Sequence, residues 1–147
     1  INHYLFARNL KENRQVSSSN KIILNRDHYI WWLNSNRKSY LLSRGNEKIL
    51  YFYDEIITFN KKKYSKQGWF ICSRNCSIQD ILYALNWQKK MIAKIGKITA
   101  SFSVVIKKNK LNLSKYLGWT VIKENTPLDD IAKQIYGTSK NNQLYSR

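Results

Sequence analysis

Acidic residues, cysteine, proline and glycine are all scarce in this chain of 147 residues. Nine Asp and Glu face 26 Lys and Arg, a formal net charge of +17. Three readings of that imbalance stay open. A basic surface attracts nucleic-acid phosphate without regard to sequence, or the field steers anionic small molecules to a site. The third is coding bias, since Lys, Asn, Ile and Tyr are abundant together, as AT-rich genes tend to encode. The basic residues are scattered, at Lys61–Lys63, Lys89-Lys90 and Lys107-Lys108, and not concentrated on one element. Cys72 and Cys76 are the only cysteines and have no His nearby, so no metal is expected. Two free thiols fit a reducing cytoplasm, the expected location. No window holds the ~18 apolar residues that span a bilayer, and no signal-peptide pattern is visible. The first residue is Ile and not Met, so a processed, trimmed or partial chain is expected.

What is present argues for a packed fold. Hydrophobic residues make up 43% and aromatics 14%, against disorder, and the length suits one domain, 1–147. Residues 6–16 read as a short helix or irregular loop, followed by a break at Ser17–Asn20. Asp27 can cap a helix through His28–Asn34. Ser39–Ser43 reads as a strand, Arg44-Gly45-Asn46-Glu47 as a hairpin turn, and Lys48–Phe59 as a longer strand. Lys61–Lys66 reads as a basic loop before a strand over Gln67–Cys72.

The clearest periodicity follows Ser77, where Ile78, Ile81, Leu82, Leu85, Ile92 and Ile95 fall near one helical face and Gly96 ends the run. A strand is expected at Thr99–Ile106, a short helix at Leu111–Leu117, a strand at Trp119–Lys123 and a helix opened by Pro127 through Ile135. No internal repeat or linker interrupts this α+β order.

The stretch Gly68–Gln79 carries the most chemistry. A short apolar run ends in a tight polar loop, Ser73–Cys76, and a helix opens at Ser77 with Asp80 three residues on. Strand, loop and helix N-terminus in that order can hold phosphate, because free N–H groups and the helix dipole point at one spot. The glycines that usually mark such loops are missing. A plain alternative is that Ser77 caps a helix and nothing binds.

The order of elements and motifs resembles the GNAT acetyltransferase superfamily. Its phosphate-binding signature is Gln/Arg-x-x-Gly-x-Gly/Ala, between the family's fourth strand and third helix. The matching residues are Arg74-Asn75-Cys76-Ser77-Ile78-Gln79, with the first position kept and both glycines replaced. Asn109 stands where the family places an Asn after its fifth strand, and Tyr116 follows it by seven residues, a common family spacing. Leu117-Gly118-Trp119 is similar to the Leu-Gly-Phe that ends the family's next helix. Ala7-Arg8-Asn9, Arg14, Ser17, His28 and Trp31 before Tyr40-Leu41-Leu42 are similar to acetyltransferases of nucleotide-linked amino sugars, of the pseudaminic-acid-pathway type. The likeness covers about residues 8–124, leaving an extra C-terminal helix at 125–136 and a loose polar tail at 137–147.

This resemblance implies a GNAT-like fold: a central, twisted, mostly antiparallel mixed sheet flanked by helices, with a V-shaped splay between the family's fourth and fifth strands. It implies acetyl-CoA as co-substrate, held by Ile71, Cys72, Arg74, Asn75, Cys76, Ser77, Ile78, Gln79 and Asn109. Tyr116 is then the proton donor to the departing thiolate, and transfer is direct, not through Cys72. Arg8, Asn9, Arg14, His28 and Trp31 would line the acceptor side, where a nucleotide sugar is the implied partner and a homodimer a further one. Each has a plainer reading: Tyr116 as one of ten tyrosines, Trp31 as core, His28 as a structural hydrogen bonder, the arginines as solvated surface. The base is unassigned among Asp54, Glu55, His28 and water. An inactive GNAT-like binding module and a basic nucleic-acid-binding protein are the rival functions.

Overall fold

The aromatic-rich segment around residue 50 forms the longest strand, and the sheet is built outward from it. A computed structural model describes residues 1–17, 19–106, 117–137 and 142–147. Helices α1 (Asn2–Asn9), α2 (Lys11–Val16) and α3 (Asn25–Asn34) precede strands β1 (Lys38–Arg44), β2 (Glu47–Phe59) and β3 (Lys62–Ile71). Helix α4 (Ile78–Lys94), β4 (Ile98–Ile106), β5 (Thr120–Val121), α5 (Pro127–Tyr136) and β6 (Asn142–Ser146) follow. The strands form one six-stranded sheet in the order β1-β2-β3-β4-β6-β5. Every pair is antiparallel except β3–β4, the pair joined through α4.

Two hairpins set the register. Arg44 pairs with Glu47 around Gly45, whose φ of 57° a side chain would resist. Phe59 pairs with Lys62 around Asn60 and Lys61, both left-handed at φ 48° and 61°. This two-residue turn corrects the basic loop expected at Lys61–Lys66: Lys62–Lys66 is strand, with Tyr64 and Ser65 buried in its middle.

Helix α4 starts on a capping box in which Ser77 and Asp80 bond each other's backbone. Its buried residues are Ile81, Ala84, Leu85, Gln88 and Ile92, while Ile78 and Ile95, at its ends, are exposed. Asp27 lies within the first turn of α3, and Leu24 is the residue at its cap. The expected loose tail is corrected by β6, inserted between β4 and β5 and hydrogen-bonded to both.

One sheet face packs against α4 through Leu50, Phe52, Ile81 and Leu85. The other carries two clusters. Tyr4, Ala7 and Phe70 hold α1 with Trp31 and Trp32 beside them. Tyr64, Phe102, Ile122 and Ala132 seat α5.

Candidate active site

Parallel pairing of β3 with β4 runs from Lys63↔Ile98 to Lys66↔Phe102 and ends there. Gln67–Ile71 then pair only with β2, and Phe102–Ile106 with β6, so the two strands part in a V. Polar side chains close its apex. Gln67 Nε2 donates to the Ser65 and Ser101 hydroxyls, each at 3.1 Å, and Arg147 donates to Gln67 Oε1 at 2.8 Å. On the α5 side, the Tyr136 hydroxyl donates to the Phe102 carbonyl at 3.0 Å. A strand edge without a partner offers N–H and C=O groups to an extended ligand.

The open edge is not free along its whole length. Buried Asn13 of α2 accepts from the Ile71 N–H at 3.0 Å and donates to its carbonyl at 2.6 Å. On the opposite side, Cys72 N–H donates to the Ile49 carbonyl of β2 at 2.8 Å, extending the β2 pairing. Burial pushes the Cys72 thiol up to about 11 and the Cys76 thiol upward too, so both stay protonated and neither is a ready nucleophile.

The loop beyond holds itself together with polar groups a phosphate would otherwise meet. Ser73 accepts from Asn75 N–H at 3.0 Å and from Cys76 N–H, through its carbonyl, at 3.2 Å. Ser77 N–H donates to Asp80 Oδ2 at 2.8 Å, and Asp80 N–H to the Ser77 hydroxyl at 3.2 Å. Arg44 clamps the same carboxylate at 2.6 and 2.7 Å. Hydrogen bonds from Arg44, then from Ser77, hold Asp80 down to about 2. A carboxylate therefore sits at the N-terminus of α4, the position an anion would favour. Ile78 and Gln79 have no backbone N–H partner among the described residues. These two donors suit a phosphate; the Asp80 carboxylate opposes it.

The residues expected on the acceptor side divide. Arg8, His28 and Trp31 line a single cavity of about 200 Å³ together with Tyr4, Ile23 and Arg37. Asn9 and Arg14 serve the chain beside it: Asn9 exchanges two hydrogen bonds with the Ile23 backbone, and Arg14 donates to the Asn9 and Asn20 carbonyls. His28 is 2% exposed, stacks on Tyr4 with centroids 5.7 Å apart, lies beside the Ile1 backbone, and has no partner for Nε2 among the described residues. Burial lowers its pKa, favouring neutral imidazole.

Arg37 links this cavity to the V. Its guanidinium lies 4.8 Å from the Trp31 centroid and 3.9 Å from that of Tyr53, and it reaches Glu55 Oε2 at 3.4 Å. The Tyr53 hydroxyl in turn covers Gly68, where an added Cβ would meet it at 2.4 Å. Lys66 stands over the Tyr136 ring at 4.7 Å, its pKa lowered by burial. Strand alternation separates the two carboxylates considered as base. Glu55 faces Arg37 on the α1 side. Asp54 faces the α4 side, opposite Lys38 and Gln67, is 1% exposed, and has the Tyr40 hydroxyl beside its carboxyl group.

Asn109 and Tyr116 lie outside the described residues. Tyr4, Asn13, Arg37, Tyr53, Lys66 and Tyr136 were not singled out in the sequence. One signal pointed to Tyr53: glycine inside a strand, here Gly68, marks a close approach.

No protein-family model matches the sequence, and no curated protein does either. Solved structures do match in shape. A domain from Methanocaldococcus jannaschii superposes with a TM-score of 0.75 at 16% identity, covering 98% of this chain and 88% of that one. An acetyltransferase of the GNAT family from Streptococcus pneumoniae gives 0.70 at 10% identity, covering 99% and 92%. A ribosomal L7/L12 alpha-N-protein acetyltransferase in complex with coenzyme A gives 0.67 at 13% identity, covering 99% and 85%. The fold of this chain, a mostly antiparallel sheet parting between β3 and β4, is that of the GNAT acetyltransferases.

Proposed function

We propose that this chain is an N-acetyltransferase, moving an acetyl group from acetyl-CoA to an amino group. The observation that carries the reading is the parting of β3 and β4 after Lys66 and Phe102, with the 73–79 loop at one end and the Arg37 cavity on the α1 side. One structural neighbour is a coenzyme A complex, which supports the donor. Acetyl-CoA would supply the activated acyl group. Ile78, Gln79 and Arg74 are the groups that would hold its phosphates, with Asn109 beside them. Transfer needs a neutral amine and a proton for the departing thiolate. Glu55, on the acceptor face, takes the amine's proton in this reading, and Tyr116 supplies the other. The acceptor class suggested by Arg8, His28 and Trp31 is a nucleotide-linked amino sugar of the pseudaminic-acid type. With a cavity of about 200 Å³, only part of such a molecule enters.

A second reading, a GNAT-like module without transferase activity, is favoured by one observation: the Ser77–Asp80 capping box occupies the helix N-terminus. Calorimetry with coenzyme A separates the two. Binding at micromolar ligand, followed by thiol release from acetyl-CoA in the presence of an amine panel, is the expected result. No heat at millimolar coenzyme A sinks the enzyme reading.

A further inference from the structure

We propose that the cavity between α1, α3 and Arg37 is an anion-selective pocket, taking a carboxylate or phosphate group between Arg8 and Arg37 and a flat body against Trp31 and His28. This goes beyond acetyl transfer by naming what the acceptor must carry, and it rests on that reading only for the ligand's role as acceptor.

The charge distribution is the first argument. Arg8, Arg37 and Lys66 crowd the α1 face near Glu55, which is the one carboxylate that pairs with any of them among the described residues. Arg8 donates to the Ser17 hydroxyl and has no acidic side chain within 4 Å among those residues. Two partly buried guanidinium groups with one carboxylate between them gain when an anion enters, because charge-assisted hydrogen bonds replace lost hydration.

The pre-set position of Arg37 is the second. Arg37 lies beside the Tyr4 hydroxyl. Both residues line the cavity. Two aromatic faces already hold the Arg37 guanidinium in place, at 4.8 and 3.9 Å, so little ordering is needed when a planar anion docks.

Size is the third. At about 30 Å³ for each water-sized group, a cavity of about 200 Å³ holds roughly seven such groups. That matches a small molecule or the end of a larger one.

The test uses the whole chain and three probes of similar outline: benzoate, phenyl phosphate and neutral benzamide, each titrated by calorimetry and tryptophan fluorescence. The expected result is that at least one anion binds about ten-fold or more tightly than benzamide. The tighter of the two anions identifies the carboxylate or phosphate source. Arg8→Gln and Arg37→Gln should each remove the preference while keeping the wild-type circular dichroism. Arg26→Gln, an exposed α3 position of equal charge, should retain it. Should Arg37→Gln fail to fold, Arg8→Gln decides. Equal affinities, no anion binding at about 20 mM, or a preference that survives in Arg8→Gln overturns the proposal. Coenzyme A is titrated separately. Anion preference without coenzyme A binding removes the transferase reading and leaves this pocket standing, and the reverse removes the pocket alone.

Discussion

Gly68 is where a single atom decides the shape of the site. A methyl group there would stand 2.4 Å from the Tyr53 hydroxyl and 2.5 Å from Cζ, and the ring cannot swing freely because Arg37 lies 3.9 Å from its centroid. Gly68→Ala should therefore destabilise the fold by about 1–3 kcal/mol, the cost of overpacking, and should also disturb Arg37. Urea denaturation gives the first effect, and altered quenching of Trp31 by a bound anion gives the second. A variant as stable as wild type would mean that Tyr53 moves aside at no cost. Asp54 makes a different point. Burial raises its pKa above the ordinary 3.8, so the folded state binds its proton more tightly than the unfolded one. Its contribution is then fully present below the unfolded pKa and is lost as pH rises through the folded value. Asp54→Asn should be more stable than wild type at pH 8, with the gap closing toward pH 4. Urea midpoints across that range would show it, and a gap constant with pH would assign the effect to something other than this titration.

At the scale of elements, the capping box of α4 sets stability against ligand binding. Ser77→Ala removes the acceptor for the Asp80 N–H and should cost about 1 kcal/mol. Asp80→Ala also releases the Ser77 N–H and takes the carboxylate off the helix N-terminus, so coenzyme A should bind more tightly even as the protein melts earlier. Thermal melts beside calorimetry read both quantities. If Asp80→Ala weakens coenzyme A as well, the carboxylate does not compete with phosphate there. Helix α4 was readable in the sequence because cap, period and terminal glycine all agree. The Arg44–Glu47 hairpin was readable because Gly45 announces it. The turn at Asn60-Lys61 was not, since it has no glycine and lysines follow it on both strand faces. Strand β6 was missed for another reason: Asn142-Gln143-Leu144-Tyr145-Ser146 is too short and polar to declare itself, and its neighbours on both sides supply the pairing. Three of the residues lining the cavity were named from the sequence. Arg8, His28 and Trp31 came from the resemblance to acetyltransferases of nucleotide-linked amino sugars, whereas Tyr4, Arg37 and Tyr53 meet them only through packing between α1, the β1 entry and β2.

Across the whole molecule, the net charge of +17 acts on every anion that approaches, and the pocket acts on few. The two effects differ in how salt treats them. Exposed charges are screened within about 10 Å at 0.1 M salt, while partly buried pairs are screened far less. Lys61, Lys62 and Lys63 at the β2–β3 hairpin are exposed, as are Lys89 and Lys90 on α4, and they lie on separate elements. An oligonucleotide held by such scattered cations should bind weakly and without sequence preference, losing roughly 10³-fold or more in affinity between 50 and 200 mM salt where six or more phosphates are contacted. A small anion seated between Arg8 and Arg37 should lose far less over the same range. Titrating a random-sequence RNA and benzoate side by side at both salt concentrations separates them. Nanomolar RNA binding that persists at 200 mM salt would turn the charge from a steering field into a binding surface, and would favour the nucleic-acid reading over acetyl transfer. Parallel losses for RNA and benzoate would place the anion on the exposed surface and not in the cavity.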